Sequence, residues 1–177
     1  MTKAEYSVRD VVAYMLLALS GRVRGLKKLV KLLFLVQYER RGLLWRREVV
    51  KYTVADRPAT ATEFIIWEYG PFSRDIYDVL DDEQYFEILD PEPPVVIGLT
   101  HKGKELAQVA GKRLPEPLRQ RIRIITKRYG NWTGAQLAEH VYKMLLLDPG
   151  IKEEYIGVSV DKYLRERGIQ LREEELI

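Results

Sequence analysis

Residues 25–38, Gly-Leu-Lys-Lys-Leu-Val-Lys-Leu-Leu-Phe-Leu-Val-Gln-Tyr, are the stretch that most restricts the fold. The spacing predicts a helix from about Leu26 to Arg41, with Gly42 as a natural stop. Leu26, Leu29, Val30, Leu33, Phe34 and Val36 cover more than one stripe of that helix. A helix apolar on most sides lies centrally, with other elements packed around it. Lys27, Lys28 and Lys31 are then expected to mark its one wet side. A second segment, Trp67-Glu68-Tyr69-Gly70-Pro71-Phe72-Ser73-Arg74-Asp75-Ile76-Tyr77, reads as a strand end, a tight turn and a helix start.

The remaining pattern fills in around these two. Ser7, with Asp10 three residues on, opens a first helix in a weak capping box, and Gly21 ends it. Residues 48–54 and 62–68 read as strands, with Arg57-Pro58-Ala59-Thr60 as a breaker between them. Ser73 is placed to cap a short helix through Leu80, with Ile76, Val79 and Leu80 as its buried side. Residues 85–89 and 95–99 look like two strands joined by the stiff Asp90-Pro91-Glu92-Pro93-Pro94. Thr100 caps a helix over 101–112, and Pro115 and Pro117 start another. In that helix Leu118, Ile122 and Ile125 form the seam, while Arg119, Gln120, Arg121, Arg123 and Arg128 face elsewhere. Thr133 caps a helix carrying Leu137, Val141 and Leu145, and Asp148-Pro149-Gly150 reads as a turn. Residues 160–167 form a last short helix, and 172–177 read as a loose charged tail. The fold class expected is mainly α with a small antiparallel sheet (α+β).

With 46% hydrophobic and 31% charged residues, the 177-residue chain can bury a sizeable core. It contains no cysteine, which removes disulfides, thiolate metal ligands and thiol nucleophiles together. No apolar run reaches the roughly 20 residues that cross a bilayer, and charged side chains interrupt the first residues, so neither a signal peptide nor a membrane span is expected. A cytoplasmic protein is the plain expectation. One asparagine, no cysteine and abundant Glu, Lys and Arg make a thermophile-like composition.

Charge is segregated. Residues 22–51 hold ten basic groups against two acidic ones, a net of 10 − 2 = +8. Residues 73–93 hold Arg74 against eight carboxylates, a net of 1 − 8 = −7. Residues 112–128 hold seven basic groups against Glu116, a net of 7 − 1 = +6. Such blocks favour charged macromolecular partners, or contact with one another.

The order helix, helix, strand–turn–helix, two-stranded wing, helix resembles a winged helix. Leu29, Leu32, Leu33, Phe34 and Gln37-Tyr38 resemble the K-L-x-K-L-L-Y-x-x-Q-like helix of the phage-associated SocA-like antitoxins, the Panacea-domain proteins. Tyr69-Gly70-Pro71 followed by Ser73, Ile76 and Tyr77 is similar to that family's Y-G-P signature. Leu99-Thr100 with Lys102-Gly103 resembles the L-T-x-K-G that follows the wing in YwgA-like relatives. The resemblance spans about residues 7–145. Phe72 departs from it, standing where a small aliphatic residue often follows the proline, and the segment 42–62 is long and basic at its start. The resemblance implies a winged-helix-like core with additional C-terminal helices, divided as a core over 1–112 and a helical extension over 113–177. It also implies direct binding of a toxin; one member of the family hands its toxin to a protease.

In a DNA-reading winged helix the helix equivalent to 73–81 enters the major groove, where duplex DNA carries a negative charge about every 1.7 Å. Here Asp75, Asp78, Asp81 and Asp82 surround a single Arg74. Carboxylates repel the polyanion where Arg, Asn or Gln would read base edges. Tyr69, Phe72, Arg74, Asp75 and Asp78 are therefore expected to form a contact surface for a protein partner. The second reading is a DNA-binding regulator that grips phosphates through Lys27, Lys28, Lys31, Arg119, Arg123 and Lys127. The last three share one helix face at i, i+4 and i+8, and Trp45 and Tyr52 could stack on bases. His101 and His140 lack metal-binding spacing, and neither a phosphate-binding glycine loop nor a G-x-S-x-G context occurs. No enzyme, cofactor or metal is expected. A homodimer is left open.

Overall fold

The computed structural model describes residues 5–42 and 47–176. The Ser7 hydroxyl and the Asp10 carboxylate cap each other's amides and open α1 (Val8–Ala18). β1 (Arg22–Arg24) leads into α2 (Leu26–Gln37), which every neighbour helps to bury. All residues from Leu29 to Gln37 are buried, Lys31 among them. The expected wet side is thus confined to Lys27 and Lys28. The Lys31 stem runs into a cavity between α2 and later elements, where its methylenes are covered.

α2 ends at Gln37 rather than Arg41. From Tyr38 the backbone is extended, and β2 (Tyr38–Arg41) pairs antiparallel with β3 (Glu48–Val54). Gln37 fixes the change of direction: it accepts from the Thr60 amide at 3.0 Å and donates to the Thr62 carbonyl at 3.1 Å. A buried amide with its hydrogen bonds met in one geometry outweighs the modest helical preference of Tyr-Glu-Arg-Arg. The expected breaker at 57–60 contains β4 (Arg57–Pro58), a short addition to the end of β3.

β5 (Ile65–Trp67) and β6 (Gly70–Phe72) form a hairpin with Glu68 and Tyr69 at its tip. On its other edge β5 bonds to residues 157–160, so Pro71, which has no N–H to donate, sits on the outer strand. α3 (Arg74–Leu80) follows. Its Ser73 does not cap through its side chain; that hydroxyl lies 2.6 Å from the Thr62 hydroxyl instead. β7 (Phe86–Asp90) and β8 (Val96–Leu99) form a second hairpin, and β1 adds to it in the order β1-β8-β7. Thr100 caps α4 (His101–Arg113) by accepting from the Gly103 amide at 2.9 Å.

α5 (Glu116–Tyr129) and α6 (Gly134–Leu145) pack on α2. Arg121 does not face outward with its neighbours. It is buried, donates to the carbonyls of Leu35 and Val36 at 2.7 and 3.1 Å, and lies over the Tyr52 ring. Those carbonyls belong to the last turn of α2, where a cation is favoured. Asp148-Pro149-Gly150 starts α7 (Pro149–Glu154) instead of merely turning, because the Asp148 carboxylate accepts from the Ile151 amide. α8 (Val160–Glu166) leads to β9 (Gln170–Glu175).

β9 corrects the expectation of a loose tail. It lies parallel to β3 over six residue pairs, Glu48↔Gln170 to Thr53↔Glu175. Ion pairs run both ways across the seam: Arg41 of β2 reaches Glu174 of β9 at 2.8 Å, and Arg172 of β9 reaches Glu48 of β3 at 3.1 Å. The chain is therefore α+β, about half helical, with small antiparallel and mixed sheets. One contiguous apolar cluster runs through α1, α2, α4, α5, α6 and α8. Phe34 lies near its middle, stacked on Tyr38 at 4.7 Å and edge-on to Phe64 at 5.4 Å.

Two measurements check the docking of β9. Alternate amides of β9, in register with that of Leu176, which donates to the Thr53 carbonyl, should show slow hydrogen exchange, whereas in a loose tail all would exchange at once. Leu171→Ala, at a half-buried position paired with Val49, should lower stability by about 1 kcal/mol in urea titrations.

Candidate functional site

The two stretches singled out by sequence meet at one groove. Its volume is about 640 Å³, and its lining combines the first turns of α2, the Tyr69 tip, Tyr77 of α3, the Pro93-Pro94 link and Tyr142 of α6. Helical side chains lean toward the N-terminus, so Lys27, Lys28 and Lys31 all point to this end of α2. The Lys27 ammonium stands 3.3 Å from the centre of the Tyr69 ring, a cation–π contact across the groove rim. Lys28 donates to the Gly130 carbonyl at 2.6 Å. Lys31 lines the interior, and burial, followed by the neighbouring Lys27 charge, pushes its pKa down to about 8.

Gly70 sets the hairpin against α6. Its φ is +96°, and a Cβ there would come 2.8 Å from a Tyr142 ring carbon. Pro71 and Phe72 complete β6, and Phe72 packs between Trp67 at 6.0 Å and Tyr77 at 4.9 Å. Trp67 and Tyr69 remain exposed, Tyr69 by 56%. α7 holds the tip from below, with Lys152 donating to the Glu68 carbonyl at 2.6 Å. The Asp75 carboxylate accepts from the buried Thr62 hydroxyl at 2.9 Å, while Arg74 and Asp78 are exposed. Tyr69, Phe72, Arg74, Asp75 and Asp78 thus belong to one continuous hairpin and helix start.

The other predicted set is divided. Lys27, Lys28 and Lys31 line the groove, but Arg119, Arg123 and Lys127 lie on α5, outside its lining. Arg119 and Arg123 both pair with Glu116 on their own helix, the second at 3.4 Å, and Lys127 is exposed. Tyr52 is buried beside Glu39 and Arg121 and cannot stack on a base; Trp45 lies outside the described residues. His140 sits against Tyr129 and Trp132, and burial, with Arg40 and Lys143 adding to it, lowers its pKa.

The model of the SocA-like antitoxin family, Panacea domain, matches residues 29–144. The chain belongs to this family. The match runs from the buried part of α2 through the Y-G-P hairpin to the end of α6; it takes in Lys31, Tyr69, Tyr77 and Tyr142 of the groove, while the groove residues from Arg24 to Lys28 precede it. No curated protein and no solved structure matches the chain. Among the described residues, no helix of this Panacea-domain chain is long and apolar enough to cross a membrane.

Sequence reasoning paired Lys31 with Lys27 and Lys28 as surface cations and missed Tyr77 and Tyr142 as groove walls. A signal for Lys31 was available. It falls between Val30 and Leu32 on a helix already read as central, so its side chain had little surface to reach.

Two outcomes test the local physics. The folded pKa of Lys31 lies below the ordinary 10.5, so the unfolded chain binds this proton more tightly. The cost of burying the charge is present in full below pH 8 and fades as pH rises toward 10.5, so stability should rise through that window. Lys31→Met should raise the melting temperature at neutral pH, and its advantage should shrink across the same window; an advantage flat with pH would show the ammonium is well solvated. Gly70→Ala should cost about 1–3 kcal/mol, from the left-handed backbone and the displaced Tyr142 ring together.

Proposed function

We propose that the chain is a non-enzymatic interaction domain that binds a protein partner, a toxin in the manner of its family, as antitoxin or adaptor. The family membership supports this role. The observation that carries the choice of surface is the aromatic ridge of the Y-G-P hairpin. Trp67 and Tyr69 are large, exposed and held on a rigid two-stranded turn, with Phe72 packed behind them. Rigid aromatics beside a charged rim are the usual energetic centre of a protein interface. The rim here is Arg74, Asp75 and Asp78, which suits a partner presenting basic groups.

A winged-helix-like core over 1–112, with 113–177 packed on it, is part of the same reading. It is supported by the order of α1, β1, α2, α3 and the β7–β8 hairpin, with β1 completing a three-stranded sheet on β8. Residues 38–73 would then be an insertion before the third helix. In that frame α3 occupies the place of a DNA-reading helix, and its carboxylates oppose that use. The nucleic-acid reading also loses strength on α5, where Glu116 answers Arg119 and Arg123. Binding is read as taking place in the cytoplasm, in keeping with a chain free of cysteine.

Capture on the immobilised chain from source-cell lysate, with and without nuclease, followed by calorimetry against the captured protein, tests the reading. Tyr69→Ala and Asp78→Lys should each weaken binding by about tenfold or more, a change of 1.4 kcal/mol, while the fold is retained by circular dichroism. A labelled duplex should not shift at physiological salt. A duplex that does shift, with an affinity falling steeply with salt and lost on reversing Arg123 and Lys127, would overturn the protein-binding reading in favour of nucleic acid.

A further inference from the structure

Three cationic residues are buried among the described residues, and two of them have partners. Lys51, buried to a similar degree, meets the Asp161 carboxylate at 2.6 Å and Glu63 at 3.0 Å. Arg121 meets two carbonyls and lies 3.5 Å from Glu39. Lys31, only 3% exposed as a residue, has no hydrogen-bond or ion-pair partner among the described residues, and its Nζ is left in contact with the open space of the groove. A buried ammonium without a counter-charge is costly. Nothing lining the groove among the described residues is acidic, and Arg24 at its edge is already held by Asp90 and the Pro94 carbonyl.

The start of α2 opens into the same space. The residue before it is Gly25, which has no side chain to cap the helix, and its own amide donates to the Val95 carbonyl. The first capping bond inside the helix is Leu29 to the Gly25 carbonyl, so the amides of Leu26, Lys27 and Lys28 have no backbone acceptor among the described residues. All three residues line the groove. Free amides at a helix start attract anions through both their N–H groups and the helix dipole.

We propose that this groove is an anion site that takes the phosphoryl group of a small phosphorylated ligand, seated between the first amides of α2 and the ammonium groups of Lys31 and Lys27. A phosphoryl group carries about −1.5 to −2 charge at neutral pH, against −1 for a carboxylate, and so balances several converging ammoniums better. Compact lysine charges with helix-start amides are a recurrent phosphate arrangement. The rest of the groove is walled by Tyr77, Tyr142, Pro93, Pro94 and Ala138, which offer an apolar seat for the ligand's body. Its volume of about 640 Å³ lies within the range of small-molecule sites. The site adjoins the proposed protein-contact ridge and goes beyond that reading without resting on it.

The full chain alone is titrated with inorganic pyrophosphate, with ATP, with citrate and with a 5′-phosphorylated oligonucleotide, at ionic strength matched with chloride. Melting temperature and phosphorus NMR line width are followed. Pyrophosphate and ATP should raise the melting temperature saturably, as a ligand of the native state must, and chloride should not. Lys31→Met should remain folded, being freed of an unpaired charge, yet bind the phosphate probes at least about tenfold more weakly. Lys104→Gln, on exposed α4, should bind as the parent does. Absence of a saturable shift with both small phosphate probes, or an equal shift in Lys31→Met, would overturn the proposal. Citrate binding more tightly than pyrophosphate would replace a phosphoryl site by a carboxylate site, and oligonucleotide binding alone would replace a small ligand by a nucleic-acid end. No partner protein is present, so failure here leaves the protein-binding reading standing, and the reverse also holds.

Discussion

The structure depends on burying one helix around nearly its whole circumference. α2 has apolar residues on several stripes, so no single layer can cover it, and α5, α6, the β5–β6 hairpin and β3 close on it from different sides. Such a helix has little tolerance for polar groups, and the two on its buried stretch have opposite fates. Gln37 has both ends of its amide engaged, by Thr60 and Thr62, and thereby determines where the helix stops. Lys31 meets no acceptor among the described residues and lines a groove. A satisfied buried amide specifies geometry; a lysine with a covered stem and no counter-charge leaves its ammonium facing the groove.

The segregated charges are answered largely within the chain. The basic block of β2 and β3 meets Glu39, Glu174, Glu63 and Asp161, so that β9 docks by charge as well as by backbone pairing. Arg113 on α4 meets buried Asp10, and Arg9 meets Asp82. Exposed pairs of this kind contribute little each, whereas Lys51 and Arg121 hold positions where losing a partner would strand a buried charge. Among the charges of the described residues that no ion pair answers are the lysines at the start of α2 and the carboxylates Asp75 and Asp78 of α3.

The Y-G-P segment shows how one short motif serves packing and exposure at once. Gly70 supplies a left-handed backbone and leaves room for the Tyr142 ring, which seats the hairpin on α6. Pro71 occupies an outer strand, where the missing N–H costs nothing. The same geometry lifts Tyr69 to the tip, over Lys27 and beside Trp67, at the rim of the groove.

Helix existence was legible in the chain because it rests on local periodicity and capping. The Ser7, Thr100 and Thr133 caps, the seam of Leu118, Ile122 and Ile125, and the family signature could all be read from residues a few positions apart. Where elements end was less legible, since Tyr38–Arg41 could extend a helix until β3 offered a strand to pair with. Only the tertiary structure decided that 170–175 is a strand, because its partner lies more than a hundred residues earlier and four of its six residues are charged. The same is true of the groove. Lys31, Tyr77 and Tyr142 come from three helices, so neither their meeting nor the lack of a counter-charge beside Lys31 is a property of any local pattern. Local spacing fixes which face a residue occupies; only the packing of distant elements fixes whether that face is wet, filled or left open.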